Sequence, residues 1–403
     1  MNRRREAAWT ARSNMVHGRS SRLRIEDAID DVLADPDFAP ESAGLEPGRT
    51  DGGFHHLPIG GIERLCDDAV AVTFDVPDEL REAYAFKPGQ YLTLRRWNDD
   101  GEHRRSYSIC APAGAMPRVG VRRVDTGMFS EWLVNTAQVG DEVEVGPPSG
   151  SFTPELEAGT HHGLVAAGSG ITPVLSIAAS LLAAHDDTHV TLLYGNRRTD
   201  TVMFTEEIAD LKNAFGPRLH LLHVLSREPT EAEIFNGRLD AERLRTLFGA
   251  LVDVETIDHW WLCGPLGMTD DATAVLTDLG VDRKKVHREL FYVDEPPPEL
   301  DRAEDTAELD GEGSEVTVVL NGRTTQLTLP RNVPVLDAAQ KVRGDLPFAC
   351  KGGVCGTCRA KVTDGEVTMR RNFALEDDEV EAGFVLTCQT LPVSDKITVD
   401  YDV

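Results

Sequence analysis

Four cysteines near the C-terminus constrain this 403-residue chain more than any other feature. Cys350, Cys355 and Cys358 are spaced C-x4-C-x2-C, and Cys388 follows after a further 29 residues. That is the spacing of a plant-type [2Fe–2S] site, and thiolate is a soft ligand that suits iron–sulfur clusters. Three ligands on one loop can wrap a cluster only where the backbone approaches it closely. Gly352, Gly353 and Gly356 permit that approach and let N–H groups face the sulfurs. Zinc sites more often use two close cysteine pairs; zinc, or cysteines that are merely structural, stand as the alternatives. Cys66, Cys110 and Cys263 are isolated, and Cys66 and Cys110 read as structural. An odd total of seven cysteines in a long chain without an export signal does not read as a disulfide framework.

Composition works mainly by exclusion. A formal net charge of −27 argues against a general nucleic-acid binder, which needs a cationic footprint. Apolar runs such as Val174 to Ala184 fall short of the ~18–20 residues of a membrane span. The N-terminal arginines are not followed by an apolar stretch, so no secretory signal is expected and the expected location is cytoplasmic.

At roughly 100–200 residues per domain the length allows two to four units, and the pattern along the chain divides it into three plus an arm. Residues 1–53 read as an extension, disordered or loosely helical, with seven Arg and one Glu in the first 24 residues. Residues 54–155 carry short β-like segments: Ala69–Val76, Gln90–Leu94, Ser106–Cys110, Val119–Val124 and Glu142–Val145. Turn signals such as Lys87-Pro-Gly89 and Gly146-Pro-Pro-Ser-Gly150 separate them, which predicts an antiparallel β-barrel. A helix over Gly127–Ala137 interrupts it. Residues 156–293 alternate strand and helix, predicting an α/β unit with a parallel sheet. Residues 294–315 hold ten acids, one base and Pro296-Pro-Pro298, and read as a solvated linker. Residues 316–403 add two strands, a helix over Val335–Val342 and the cysteine loop, an α+β unit. The paired histidines His55–His56 and His161–His162 lack partners at metal spacing and read as loop residues.

Within this frame several motifs carry chemistry. Arg105 and Tyr107, of His103-Arg-Arg-Ser-Tyr-Ser108, share one face of a strand. Arg supplies a forked cation for a phosphate, and Tyr can border a planar ring; an exposed polar strand is the alternative. Gly127-Met-Phe-Ser130 opens a helix where a phosphate can meet backbone N–H groups, or simply caps it. Gly168-Ser-Gly-Ile-Thr-Pro173 lies between a strand and a helix, with Thr172 expected at the N-cap. It departs from G-x-G-x-x-G because Pro173 replaces the third Gly. Cys263-Gly-Pro-Leu-Gly-Met268 closes a later strand, where ligands of α/β sheets collect. Cys263 there can border a nicotinamide ring or be plain core. Tyr194-Gly-Asn-Arg197 and Ser226-Arg227 end the intervening strands, where they can hold an adenosine phosphate or be solvated loop charge.

In this order the motifs resemble the ferredoxin–NADP⁺ reductase superfamily with a plant-type ferredoxin domain fused at the C-terminus. Within it, the chain is most similar to reductase subunits of ring-1,2-phenylacetyl-CoA epoxidases. That likeness rests on Cys350-Lys-Gly-Gly-Val-Cys-Gly-Thr-Cys358, Asn372-Phe-Ala-Leu-Glu376, Gly383-Phe-Val-Leu-Thr-Cys-Gln389 and Val399-Asp-Tyr-Asp402. The resemblance implies a flavin barrel, a nucleotide-binding α/β domain and a β-grasp ferredoxin domain. It implies FAD, or FMN as in one branch, bound by Arg105, Tyr107, Ser108, Val121 and Gly127, Met128, Phe129 and Ser130. Pyridine nucleotide would lie against Gly168, Ser169, Gly170, Ile171, Thr172, Pro173, Asn196, Arg197, Cys263, Gly264, Pro265 and Met268. Ser226 and Arg227 resemble the pair that grips the 2′-phosphate of NADPH, although Glu228 follows directly and NADH stays possible. Thr172, Cys263 and Glu289 would stand at the reaction centre, and Cys350, Cys355, Cys358 and Cys388 would bind the cluster. Clusters of this class lie near roughly −400 mV, low enough to supply an oxygenase. The implied partner is a di-iron oxygenase acting on phenylacetyl-CoA; a Rieske-type or steroid oxygenase is the runner-up. A non-catalytic, redox-sensing flavoprotein module is the alternative of a different class.

Overall fold

The computed structural model describes residues 53–98, 101–124, 127–291 and 313–403. The expected N-terminal extension, all but its last residue, and most of the acidic 294–315 segment lie outside the described residues.

Strands β1 (His55–Cys66), β2 (Ala69–Phe74), β3 (Tyr91–Asn98), β4 (Gly101–Ser108), β5 (Arg118–Arg122) and β6 (Glu142–Val145) pair in the order β4-β3-β6-β1-β2-β5. Every pairing is antiparallel. A bridge between Ile109 and Val119 joins the end of β4 to β5 and closes the sheet into a barrel. In Glu142-Val-Glu-Val145 the valines turn inward, where they meet Leu57, Phe74, Leu92 and Leu94. One helix, α1 (Met128–Asn135), packs Phe129 and Leu133 on this core.

The sequence pattern does not predict β1, and the reason is local. Pro58 and the pair Gly60–Gly61 break the alternation, and two register shifts let the strand pair first with β6 and then with β2. His55 and His56 are therefore strand residues opposite Val145 and Glu144, not loop residues.

Strands β7 (His161–Ala167), β8 (His189–Asn196), β9 (Leu219–Leu225), β10 (His259–Cys263) and β11 (Val286–Glu289) form an all-parallel sheet ordered β9-β8-β7-β10-β11. Helices α2 (Ile171–Ala184), α3 (Thr205–Phe215), α4 (Ala241–Leu251) and α5 (Leu266–Asp278) alternate with these strands. The strand order reverses between β7 and β10, the place where such sheets bind ligands. His161 and His162 also lie on a strand rather than in a loop, and His162 is buried, accepting a hydrogen bond from Trp261 Nε1 at 3.2 Å.

Twelve of the 14 residues of α2 are buried, because the helix has the sheet on one side and the barrel on the other. Ser176 donates to Ala111 O at 2.6 Å, and Ser180 Oγ accepts from Ala113 N at 2.9 Å. Arg118 spans the same junction, reaching Glu63 at 2.8 Å and Glu207 at 3.0 Å. These contacts join barrel and parallel sheet directly.

The C-terminal unit contains β12 (Gly313–Leu320), β13 (Arg323–Pro330), α6 (Val335–Ala339), β14 (Arg359–Asp364), β15 (Val367–Met369), α7 (Asp377–Glu381), β16 (Phe384–Leu386), β17 (Thr390–Pro392) and β18 (Lys396–Asp400). Its main sheet is ordered β13-β12-β18-β14-β16, with only β12 and β18 parallel, and α6 packs against it as in a β-grasp fold. Strand β12 begins at Gly313, three residues before the expected start at Val316. Among the described residues no helix is long and apolar enough to cross a membrane.

Candidate functional site

Three chain segments distant in sequence meet at the end of the parallel sheet. Ser108, the last residue of β4, donates its hydroxyl hydrogen to Glu289 Oε2 at 3.2 Å. Glu289 ends β11 and is in register with Cys263 on β10, which is in register with Ala166 on β7. The segments that follow, Gly168–Pro173 and Cys263–Met268, are thus neighbours at the strand-order reversal. Their approach requires a residue without a side chain: a Cβ on Gly170 would lie 2.1 Å from Cys263 O. Burial pushes the Glu289 carboxyl up to about 8, with Ser108 pulling slightly the other way. Cys263 is wholly buried, which raises its pKa and keeps it a neutral thiol, a small polarizable wall rather than a nucleophile.

No side chain caps the N-terminus of α1 or of α2, and an uncapped helix start favours an anion. Gly170, not Thr172, occupies the N-cap of α2. Thr172 lies in the first turn, donating to Ser169 O at 3.0 Å, with its methyl in the space left by the absent Cβ of Gly120. Its buried hydroxyl is committed to the loop backbone. Ser130 likewise stabilises its own loop, accepting from Val124 N at 3.0 Å and donating to Gly127 O at 3.1 Å. Arg105 is exposed and reaches Arg104 O at 2.7 Å; Tyr107 is half-buried; Val121 and Phe129 belong to the barrel core.

Across the sheet, Ser226 and Arg227 donate backbone N–H bonds to Asn196 O at 2.9 Å and Arg197 O at 2.8 Å, uniting two strand ends. Asn196 is buried, whereas Arg197 and Arg227 are exposed. The Glu228 carboxylate accepts from Thr199 N at 2.8 Å and Thr199 Oγ1 at 3.0 Å, so it is engaged within the loop. Pro265 is the N-cap of α5, and Gly264 leaves room for Met268. Gly237 N bonds Leu225 O at 2.9 Å, holding the segment before α4 against the end of β9, and Arg238 lines a cavity of about 140 Å³ with Asp240, Glu242 and Arg243.

The four C-terminal cysteines form two interacting pairs, Cys350 with Cys355 and Cys358 with Cys388. Two thiolates for each of two irons is the arrangement a [2Fe–2S] cluster needs. Hydrogen-bond donors face the sulfurs. Gly352 N lies 3.3 Å from Cys350 Sγ, Cys350 N lies 3.5 Å from Cys355 Sγ, and the Thr357 hydroxyl lies 3.2 Å from Cys355 Sγ. Donors of this kind stabilise thiolate and tune a cluster; the Cys350 thiol is lowered to about 6, chiefly by Cys355 and helped by the loop N–H groups. Gln389, not among the site residues expected from sequence, donates to Lys351 O at 2.9 Å and ties the loop to the strand region after Cys388.

Comparison with known proteins agrees with this geometry. An oxidoreductase FAD-binding domain matches residues 56–153, an oxidoreductase NAD-binding domain residues 164–274, and a 2Fe-2S iron-sulfur cluster binding domain residues 318–393. The chain is 40% identical over 355 residues to one of the subunits of the 1,2-phenylacetyl-CoA epoxidase of Escherichia coli K12, covering 87% of this chain and 98% of that relative. The chain belongs to the ferredoxin–NADP⁺ reductase superfamily, in the branch with a C-terminal plant-type ferredoxin domain. A second member, the ferredoxin reductase component of the Rhodococcus rhodochrous 3-ketosteroid-9-alpha-monooxygenase, is 33% identical and covers 86% of this chain and 96% of its own length. Among solved structures, phthalate dioxygenase reductase shares the fold at a TM-score of 0.52 and 24% identity, covering 86% of this chain and 98% of its own. As a member of this superfamily branch, the chain is an oxidoreductase that uses FAD, a pyridine nucleotide and a [2Fe–2S] cluster.

Proposed function

We propose that the chain carries electrons from NADPH, through FAD and its own cluster, to a di-iron oxygenase that acts on phenylacetyl-CoA in phenylacetate breakdown. One observation carries the electron path: Ser108 on the barrel, Glu289 and Cys263 on the parallel sheet, and the cysteine loop of the ferredoxin domain converge on one end of the molecule. The oxygenase assignment is supported by the 40% identity to the epoxidase component across nearly its whole length. A steroid or Rieske-type oxygenase is the second reading, favoured by the 33% identical ketosteroid monooxygenase component.

When bound here, FAD would supply the conversion between two-electron hydride transfer and one-electron transfer. The protein's task is to hold and orient. Residues 54–155 act as the flavin domain, with Arg105, Tyr107, Ser108, Val121 and Gly127–Ser130 around FAD. Residues 156–293 bind the nucleotide through Gly168–Pro173, Asn196–Arg197 and Cys263–Met268. Cys263 shapes the reaction centre, Thr172 fixes the loop beside it, and neutral Glu289 offers a proton there. Residues 316–403 hold the cluster on Cys350, Cys355, Cys358 and Cys388. The preference for NADPH rests on Ser226 and Arg227, with the Glu228 carboxylate turned to Thr199 N and Thr199 Oγ1. A thiolate-bound cluster on four cysteines, with Cys66, Cys110 and Cys263 left as thiols, suits a reducing compartment such as the cytoplasm.

Reconstitution decides the partner. The purified reductase is combined with a di-iron phenylacetyl-CoA oxygenase or with a ketosteroid oxygenase, and NADPH oxidation coupled to product is measured. Efficient coupling to the first alone is expected; efficient coupling to the steroid enzyme alone contradicts the assignment.

A further inference from the structure

Tyr91 begins β3 and stands directly opposite Ser108 in the β3–β4 pair, so the two side chains share one face. Its backbone is clamped by Ser149, with N–H to carbonyl bonds of 2.9 and 3.0 Å in the two directions. Its ring lies 3.0 Å from where Gly150 would carry a Cβ, so it has one seat, and it is only 4% exposed. The phenol oxygen lies 2.9 Å from Thr357 Oγ1, between the cluster ligands Cys355 and Cys358. Thr357 has one hydroxyl hydrogen, and it points to Cys355 Sγ at 3.2 Å. Tyr91 must therefore donate, which gives a directed relay from Tyr91 O–H through Thr357 O–H to the sulfur.

We propose that Tyr91 is the positioning residue that seats the ferredoxin domain for electron uptake, presenting the Cys350–Cys355 side of the cluster to the flavin face. Other contacts among the described residues also join the units. Arg104 is buried, lies 4.1 Å over the Phe348 ring and reaches Leu346 O at 3.4 Å, holding the domain from the side. Arg283 and Asp377 pair at 3.0 Å but are largely exposed, and such pairs contribute little. The Tyr91 contact leads, through the Thr357 hydroxyl, to the cluster ligand Cys355. One electron passes from reduced flavin to oxidised cluster in each docking. No bond is made or broken in Tyr91, and it is neither oxidised nor deprotonated.

The inference rests on the electron path proposed above, and one experiment separates the two. Full-length protein carrying FAD and cluster is mixed anaerobically with NADPH while flavin and cluster absorbance are followed separately. In Tyr91→Phe the flavin is expected to bleach at the wild-type rate. Cluster bleaching slows about three- to tenfold, the docked population lost with one hydrogen bond. The cluster's midpoint potential stays unchanged. In Thr357→Val the same slowing is joined by a shifted potential, because the bond to Cys355 is lost, and Thr357→Ser restores both. The double variant slows no more than the slower single one, since both remove the same contact. Wild-type cluster bleaching in Tyr91→Phe, or additive slowing in the double variant, overturns the inference alone. A wild-type cluster that never bleaches overturns the electron path as well.

Discussion

The Ser108 hydroxyl and the Glu289 carboxylate meet at 3.2 Å across 181 residues of chain, joining the flavin strand to the last strand of the nucleotide sheet. The contact places a buried acid where a barrel strand and two parallel strands end together. Its protonation follows from burial, and its consequences are measurable.

Because the native pKa of Glu289 is raised to about 8, the folded protein holds a proton that the unfolded chain releases near pH 4 to 5. Stability from this group therefore falls as pH rises from the ordinary carboxylate range to about 8, and is level above it. Glu289→Gln removes the dependence. Thermal unfolding from pH 5 to 9 is expected to show a Tm advantage for the Gln variant that grows up to about pH 8 and then stops growing. A gap that does not change with pH contradicts the protonated state.

Arg227 is exposed at a strand end, and the neighbouring Glu228 carboxylate bonds Thr199 N rather than Arg227. A charge-assisted hydrogen bond contributes about 1.5–3 kcal/mol. Arg227→Ala should therefore raise the KM for NADPH by roughly ten- to 150-fold, with kcat little changed. The KM for NADH should hardly move. Steady-state assays with an artificial one-electron acceptor give both values, and equal losses for the two nucleotides refute the assignment.

Gly353 sits in the cysteine loop at φ +79°, and a Cβ there would meet Gln389 Cγ at 3.1 Å and Arg371 O at 3.3 Å. A non-glycine residue in this region costs about 1–2 kcal/mol before any clash, and here the neighbour is the clamp that holds Lys351. Gly353→Ala is expected to lower iron per chain to below about half of wild type, the loop being less able to close on its cluster. FAD content and hydride uptake should remain. Iron and flavin analysis of the purified variant checks this directly.

How much of this was legible beforehand depended on whether the information was local. Cysteine spacing, the glycine-rich segment before α2 and the strand–helix rhythm are properties of short stretches, and they located the cluster loop, the nucleotide end of the sheet and the three fold types. Strand β1 was missed because Pro58 and Gly60–Gly61 hide its alternation, although a barrel needs it to join its two halves. Thr172 was expected at the N-cap, but the close packing of Gly170 on Cys263 starts the helix earlier, with Gly170 itself as the cap. Tyr91 carries no sequence signature, and Arg104 and Gln389, although they lie inside quoted motifs, show nothing there of what they touch. Their roles come from tertiary contacts, in the case of Tyr91 and Thr357 across 266 residues.

The electron path itself is tested most directly by adding NADPH anaerobically to the full protein and recording flavin and cluster absorbance with the electron paramagnetic resonance spectrum. Both chromophores are expected to bleach, and the signal of a reduced [2Fe–2S] cluster to appear. A bleached flavin beside a cluster that stays oxidised and silent would contradict it.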